Sequence, residues 1–177
     1  MRKFSLASVM SLCGVAFFMG ALVFATHAWT APMIESRLAA SSGMGNLAVL
    51  PEADGFVEDT VEYGGEIFAF SRATNDAGFV FSVVGAGFGG PVEMLVGVDL
   101  TGEIVGVLVT EHNETAGLGS PVAEEPFLSQ FTGNIQNGFA VGDEIDVLSG
   151  ATVSTEAIAD TVNKAANLFI QVTGGAE

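Results

Sequence analysis

The chain has 177 residues, 49% of them hydrophobic, and carries 21 Asp or Glu against 5 Lys or Arg, for a formal net charge of −16 at pH 7. That balance excludes nucleic acid as a partner, since phosphate backbones are held by clustered cations, and the apolar content excludes wholesale disorder. The single Cys13 excludes an internal disulfide and any multi-cysteine zinc or iron–sulfur centre, and no metal ligands are expected.

The first element is apolar. From Phe4 to Ile34 there is no Asp, Glu, Lys or Arg, and Arg2 and Lys3 precede the run. A bilayer core of about 30 Å is crossed by roughly 20 apolar residues, so the run is long enough to span. Basic residues at its entry place the N-terminus in the cytoplasm and the rest outside. Trp29 falls where an interfacial aromatic sits, and Cys13 reads as packing within the membrane. The competing reading is a cleaved signal peptide, with Thr26 and Ala28 as the small residues before a cut. The run exceeds a signal core of about 7 to 15 residues, which favours a retained anchor over residues 1–31.

Residues 32–56 read as a juxtamembrane helix and linker. Pro32 suits a first helical position and leads through Ile34 and Leu38, and Ser41, Ser42 and Gly43 form a hinge. Residues 57–177 then make an extracytoplasmic domain. Beyond residue 31 three basic residues, Arg37, Arg72 and Lys164, stand against all 21 acidic ones, a net −18. Such a domain is repelled by anionic headgroups and stays soluble above the membrane. Adaptation to a salty medium would give the same composition.

Within that domain, strand-like runs separated by glycine cover Ile67 to Ser71, Gly78 to Val84, Val92 to Val98 and Ile104 to Thr110. Asp99 to Gly102 joins the last two at hairpin spacing. A helix is expected near Pro126 to Phe131 and a short strand over Glu144 to Leu148. Finally, Ile158, Val162, Ala165, Phe169 and Val172 recur at spacings of one helical face. Strands followed by a helix predict an α+β class with a mostly antiparallel sheet and a long C-terminal helix.

Two segments carry possible chemistry. In Asp146-Val147-Leu148-Ser149-Gly150-Ala151-Thr152-Val153-Ser154, small residues and three hydroxyls crowd the start of the long helix. The first helical turn has unpaired N–H groups and a partial positive charge, which favours a phosphate. On physics alone an ordinary helix cap explains the same residues better. The second segment, Thr110-Glu111-His112-Asn113-Glu114-Thr115-Ala116-Gly117-Leu118-Gly119, leaves a strand and enters a glycine turn. Sheet-borne loops often hold functional groups. A solvated loop is the plainer reading, since a metal site would need ligands from elsewhere and the other histidine is His27.

Together the two strings resemble a known pair. The stretch DVLSGATVS resembles the attachment motif of proteins that carry FMN covalently, joined by a phosphoester to the threonine of S-G-A-T. The stretch EHNETAGLGS resembles the second signature of that domain, E-H-x-E-T-P-G-L-G. With the preceding run GAGFGGPVEMLVGVDLTGEIVGVLV and the N-terminal anchor, the chain resembles over nearly its whole length the G subunit of Rnf-type electron transport complexes. Ala116 stands where that family has Pro, which loosens the loop and removes no polar contact. The C subunit of sodium-translocating NADH:quinone reductases shares both motifs, and Gly90-Pro91-Val92-Glu93 looks more like the Rnf side.

The resemblance implies an extracytoplasmic electron carrier in the cell's inner membrane. It implies membership of a translocase coupling electron flow between reduced ferredoxin and NAD to sodium or proton movement, with no autonomous catalysis. It makes Thr152 the site of covalent FMN attachment, Asp146 part of the string read by a flavin transferase, and Ser149, Gly150, Ala151 and Ser154 the surrounding turn. Glu114, Thr115, Gly117 and Leu118 would line the flavin. Other membrane subunits of the complex and the transferase are the implied partners. An anchored redox-sensing or accessory flavoprotein, and an anchored interaction domain without cofactor, are the other classes the residues allow.

Overall fold

A computed structural model describes Met10, residues 15–22, Phe24, and residues 43–117, 119–135, 138–142 and 145–174. The chain divides into two compact units, Met1–Ser42 and Gly43–Glu177. In the first, residues 15–22 are helical, and Val15, Phe17, Phe18, Met19 and Leu22 are exposed. Among the described residues no helix is long and apolar enough to cross a membrane. Most of the expected anchor, and the expected helix from Pro32 to Leu38, lie outside the described residues.

The second unit is built on a six-stranded sheet in which each strand pairs with its sequence neighbour. The strands are β1 (Phe56–Tyr63), β2 (Glu66–Ala73), β3 (Gly78–Ala86), β4 (Pro91–Asp99), β5 (Glu103–His112) and β6 (Gly133–Asn134). Every pairing between them is antiparallel. The four expected strands are present as β2 to β5, each extended by one or two residues at one or both ends. A helical turn, α1 (residues 43–49), precedes the sheet. The expected helix near Pro126 to Phe131 is α2 (Glu125–Leu128) followed by a 3-10 turn, Ser129–Phe131. An expected strand over Glu144 to Leu148 is not formed among the described residues, where Ile145 makes only an isolated parallel bridge to Val141. The Asp146 N–H goes instead to the side chain of Gln130, at 2.8 Å from its Oε1, so no ladder continues there.

Alternation along the strands sends successive side chains to opposite faces. On one face Phe79, Phe81, Val83, Met94, Val96 and Ile104 are buried beneath the C-terminal helix α3 (Thr152–Gly174), which brings Ile158, Val162, Ala165 and Phe169 to the same core. These are the positions at helical spacing, and full burial of each large side chain contributes about 1.5–3 kcal/mol. Phe70, Phe79 and Phe81 pack at centroid distances of 5.7 to 6.3 Å, with Phe169 edge-on to Phe79.

The opposite face is covered by residues before the first strand. Val49 at the end of α1, with Leu50 and Ala53 after it, is buried together with Ala73 and Val80. Gly97 and Gly106 are register partners in the sheet, and a Cβ on either would meet Val49. The paired glycines open the space that lets this segment pack. Within the segment 32–56 expected as juxtamembrane helix and linker, Asn46, Val49, Leu50 and Ala53 are buried.

Candidate functional site

The two motif strings, whose joining residues are 40 positions apart, meet at one end of the sheet. After β5 the chain forms a tight loop in which the Thr115 carbonyl accepts from the N–H groups of Gly119 and Ser120, at 2.9 and 3.2 Å. The Gly117 N–H donates to Ser120 Oγ at 2.9 Å. His112 is half-buried, and its Nδ1 accepts from the Glu114 N–H at 3.2 Å. The Glu114 side chain turns inward, where it is 8% exposed.

The other string enters α3 through a turn. Gly150 has φ +84°, a backbone region that side chains rarely adopt. The Ala151 N–H closes on the Leu148 carbonyl at 2.9 Å, and the Thr155 N–H then makes the first helical bond to Ala151 at 2.9 Å. Thr152 is the first residue of the helix and is exposed, with Val153 beside it, while Ser154 is buried. Ser154 Oγ donates to Glu114 Oε2 at 2.8 Å. Glu114 Oε1 accepts from the Gly89 N–H at 3.2 Å.

A pocket of 310 Å³ lies at this junction, lined by Glu114, Thr115 and Gly119 from one string, Gly150 to Ser154 from the other, and Phe88 from the turn between β3 and β4. The residues singled out in the sequence thus divide into two sets. Thr152, Gly150, Ala151, Ser154, Glu114 and Thr115 are brought together in the wall. Asp146, Ser149 and Gly117 are exposed and stand outside it, and Leu118 lies outside the described residues. Phe88 and Val153 join the wall in addition to the residues expected from sequence. Phe88 is 72% exposed, and its signal was an aromatic flanked by glycines in Gly87-Phe88-Gly89-Gly90.

The arrangement suits a ligand with a flat apolar part and an anionic end. Phe88, Ala151 and Val153 offer apolar surface, Thr115 and Thr152 offer hydroxyls, and the N-terminus of a 23-residue helix offers N–H groups and a positive dipole end. A volume of this size falls within the roughly 300–1,000 Å³ of small-molecule sites.

Residues 87–167 match the FMN-binding domain family. The chain is 24% identical over 165 residues to the G subunit of the proton-translocating ferredoxin:NAD(+) oxidoreductase complex of Clostridium ljungdahlii, covering 90% of this chain and 88% of that protein. It is 36% identical over 95 residues to the G subunit of the ion-translocating oxidoreductase complex of Photorhabdus laumondii, covering 48% of this chain and 45% of that protein. Among solved structures it is similar to the C subunit of a Na(+)-translocating NADH-quinone reductase from Parabacteroides distasonis. That similarity has a TM-score of 0.48 and 20% identity, over 59% of this chain and 62% of that one.

Proposed function

We propose, from the match of residues 87–167 to the FMN-binding domain family, that this chain is the FMN-carrying G subunit of an Rnf-type ion-translocating oxidoreductase. The observation that carries the reading is the pocket in which both motif strings meet around Thr152. Bound FMN supplies one- and two-electron transfer, while the chain supplies position and electrostatics. The complex is membrane-associated, and its other subunits are this chain's partners. An anchor within residues 1–31 holds the domain on the extracytoplasmic side, so a reporter fused after Glu177 that works only in the cytoplasm is expected to give no signal.

The flavin is joined to the protein covalently, as a phosphoester on Thr152. Thr152 Oγ takes the flavin phosphoryl group from an activated flavin whose phosphate is part of a phosphoanhydride. The new P–O bond forms as the anhydride bond breaks, a nucleoside monophosphate leaves, and the hydroxyl proton is released. A flavin transferase outside the cytoplasm brings the two together, reading the string that begins at Asp146. The N–H groups of the first turn of α3 would hold the ester phosphate there. The loop from His112 to Gly119 forms the opposite wall through Glu114 and Thr115.

Thr152 tests the assignment. Helix-dipole stabilisation of a phosphate is worth about 0.3–1 kcal/mol when exposed, far too little to hold flavin through denaturation. Wild-type protein made with a flavin transferase should therefore fluoresce as a band on a denaturing gel. Thr152→Ala should fold and stay dark, and Ser149→Ala should fluoresce. A bright Thr152→Ala band would move the attachment to another hydroxyl and undo the reading.

A further inference from the structure

Glu114 is the point where three separate segments close on one another. Its Oε1 accepts from Gly89 in the β3–β4 turn, and its Oε2 accepts from Ser154 in the first turn of α3. Both carboxylate oxygens are thereby occupied in a site that is 8% exposed. The surrounding glycines leave room for this group and little else. A Cβ on Gly87 or on Gly119 would run into the Glu114 carboxylate, and one on Gly89 would strike the Asn113 carbonyl. Two glycines from two loops thus make a cradle for one side chain, and Gly89 lets the turn that donates to it approach the loop backbone. A buried carboxylate seated this way is costly to assemble unless its acceptors are met, and here both are met by donors from other segments.

The consequence falls on Thr152. Ser154, in the first turn of α3, commits its Oγ to Glu114. That bond ties the first turn of α3 to the post-β5 loop and holds Thr152, two residues earlier, at the mouth of the pocket with the loop's Thr115 and Gly119.

We infer that Glu114 is a positioning residue for flavin loading: held in its glycine cradle, it fixes Ser154 and so presents Thr152 Oγ to the incoming flavin phosphoryl group. The inference rests on Thr152 being the attachment residue. It assigns Ser154 the role of transmitting a geometry, distinct from contact with the cofactor. Loss of such an alignment lowers the rate of loading at saturation rather than affinity for the transferase, since misplacement by about 1 Å can cost on the order of 100-fold.

The test uses the full chain, a flavin transferase and a flavin dinucleotide, and follows the appearance of the fluorescent denaturation-resistant band with time. Glu114→Ala is expected to lower the saturating loading rate about 10- to 100-fold with little change in the half-saturating protein concentration. Glu114→Gln should restore most of the rate, because its amide oxygen accepts from Gly89 and its N–H donates to Ser154 Oγ. Ser154→Ala should load to completion but slowly, and the double variant should be no slower than the slower single one, as for residues acting through one bond. Loading of Glu114→Ala at the wild-type rate, or of Glu114→Gln as slowly as Glu114→Ala, overturns the inference. So do additive effects of Glu114→Ala and Ser154→Ala. Should Glu114→Ala fail to fold, Ser154→Ala and Glu114→Gln carry the test, and Ser154→Ala loading at the wild-type rate overturns it. A dark wild-type band, or a bright Thr152→Ala band, is a failure of the attachment assignment instead.

Discussion

Asn163 lies on α3 with its amide facing the backbone of Phe139, accepting from the Phe139 N–H at 3.0 Å and donating to its carbonyl at 3.0 Å. It acts as a substitute strand for a segment without a ladder of its own, between β6 and the turn into α3. Buried backbone groups left unpaired cost about 1–3 kcal/mol, so Asn163→Ala should lower stability by that amount in urea unfolding. Asn163→Asp keeps the acceptor but sets a carboxylate against the Phe139 carbonyl, and should be no better than the alanine variant. Nothing in the sequence pointed to this pairing, because an asparagine amid Val162, Lys164 and Ala165 looks like one more polar position on a helix.

Among the elements, the β4–β5 hairpin shows how a turn is secured. Asp99 Oδ1 accepts from the N–H groups of Thr101 and Glu103, both at 2.8 Å, and from Thr101 Oγ1 at 2.8 Å. Partial burial on its own raises the Asp99 carboxyl. The bonds from the Glu103 N–H, the Thr101 side chain and N–H, and the Gly102 N–H outweigh it and hold the group below its ordinary value of 3.8. A carboxyl depressed in the folded state contributes stability that is present above the unfolded value and lost as pH falls through the folded one. Asp99→Asn keeps an acceptor for the turn but cannot titrate. The stability difference between wild type and Asp99→Asn, read from denaturant unfolding, should therefore shrink as pH is lowered below 3.8. Asp99→Ala should cost about 1–2 kcal/mol at neutral pH through the lost turn bonds, and a flat comparison across pH would show that the carboxylate is not what holds the hairpin. This turn was visible in the sequence as Asp99-Leu100-Thr101-Gly102 between two apolar runs. By contrast β1, Phe-Val-Glu-Asp-Thr-Val-Glu-Tyr, was not, since an exposed edge strand carrying three acidic residues lacks strict apolar–polar alternation.

For the molecule as a whole, the boundary of the folded unit has a measurable consequence. Val49 and Leu50 are each 1% exposed and cover the sheet face opposite α3. A fragment beginning at Gly43 should unfold in one cooperative transition. A fragment beginning at Val57 loses both side chains and exposes Val80 and Ala73, at a cost of about 3–6 kcal/mol for two large apolar groups. Domains of this kind are stable by only about 5–15 kcal/mol, so the shorter fragment should be marginal or unfolded by thermal melting. Equal melting temperatures would show that the segment before β1 is dispensable.

Sequence alone determined the α+β class, β2 to β5 and α3, because apolar runs bounded by glycine and a 3- and 4-residue repeat are local properties of the chain. It also singled out both motif strings. Tertiary structure alone decided which of their residues share a wall. Glu114 and Ser154 meet across 40 residues only because α3 packs back over the sheet that carries the loop, and Phe88 joins them from a third segment. The same reason explains the errors around the site. Glu144 to Leu148 has the composition of a strand, but among the described residues it meets no sheet edge, and Gln130 takes the Asp146 N–H instead. Val49 lies in a segment with the composition of a linker, yet Gly97 and Gly106, far along the chain, leave the hollow that receives it.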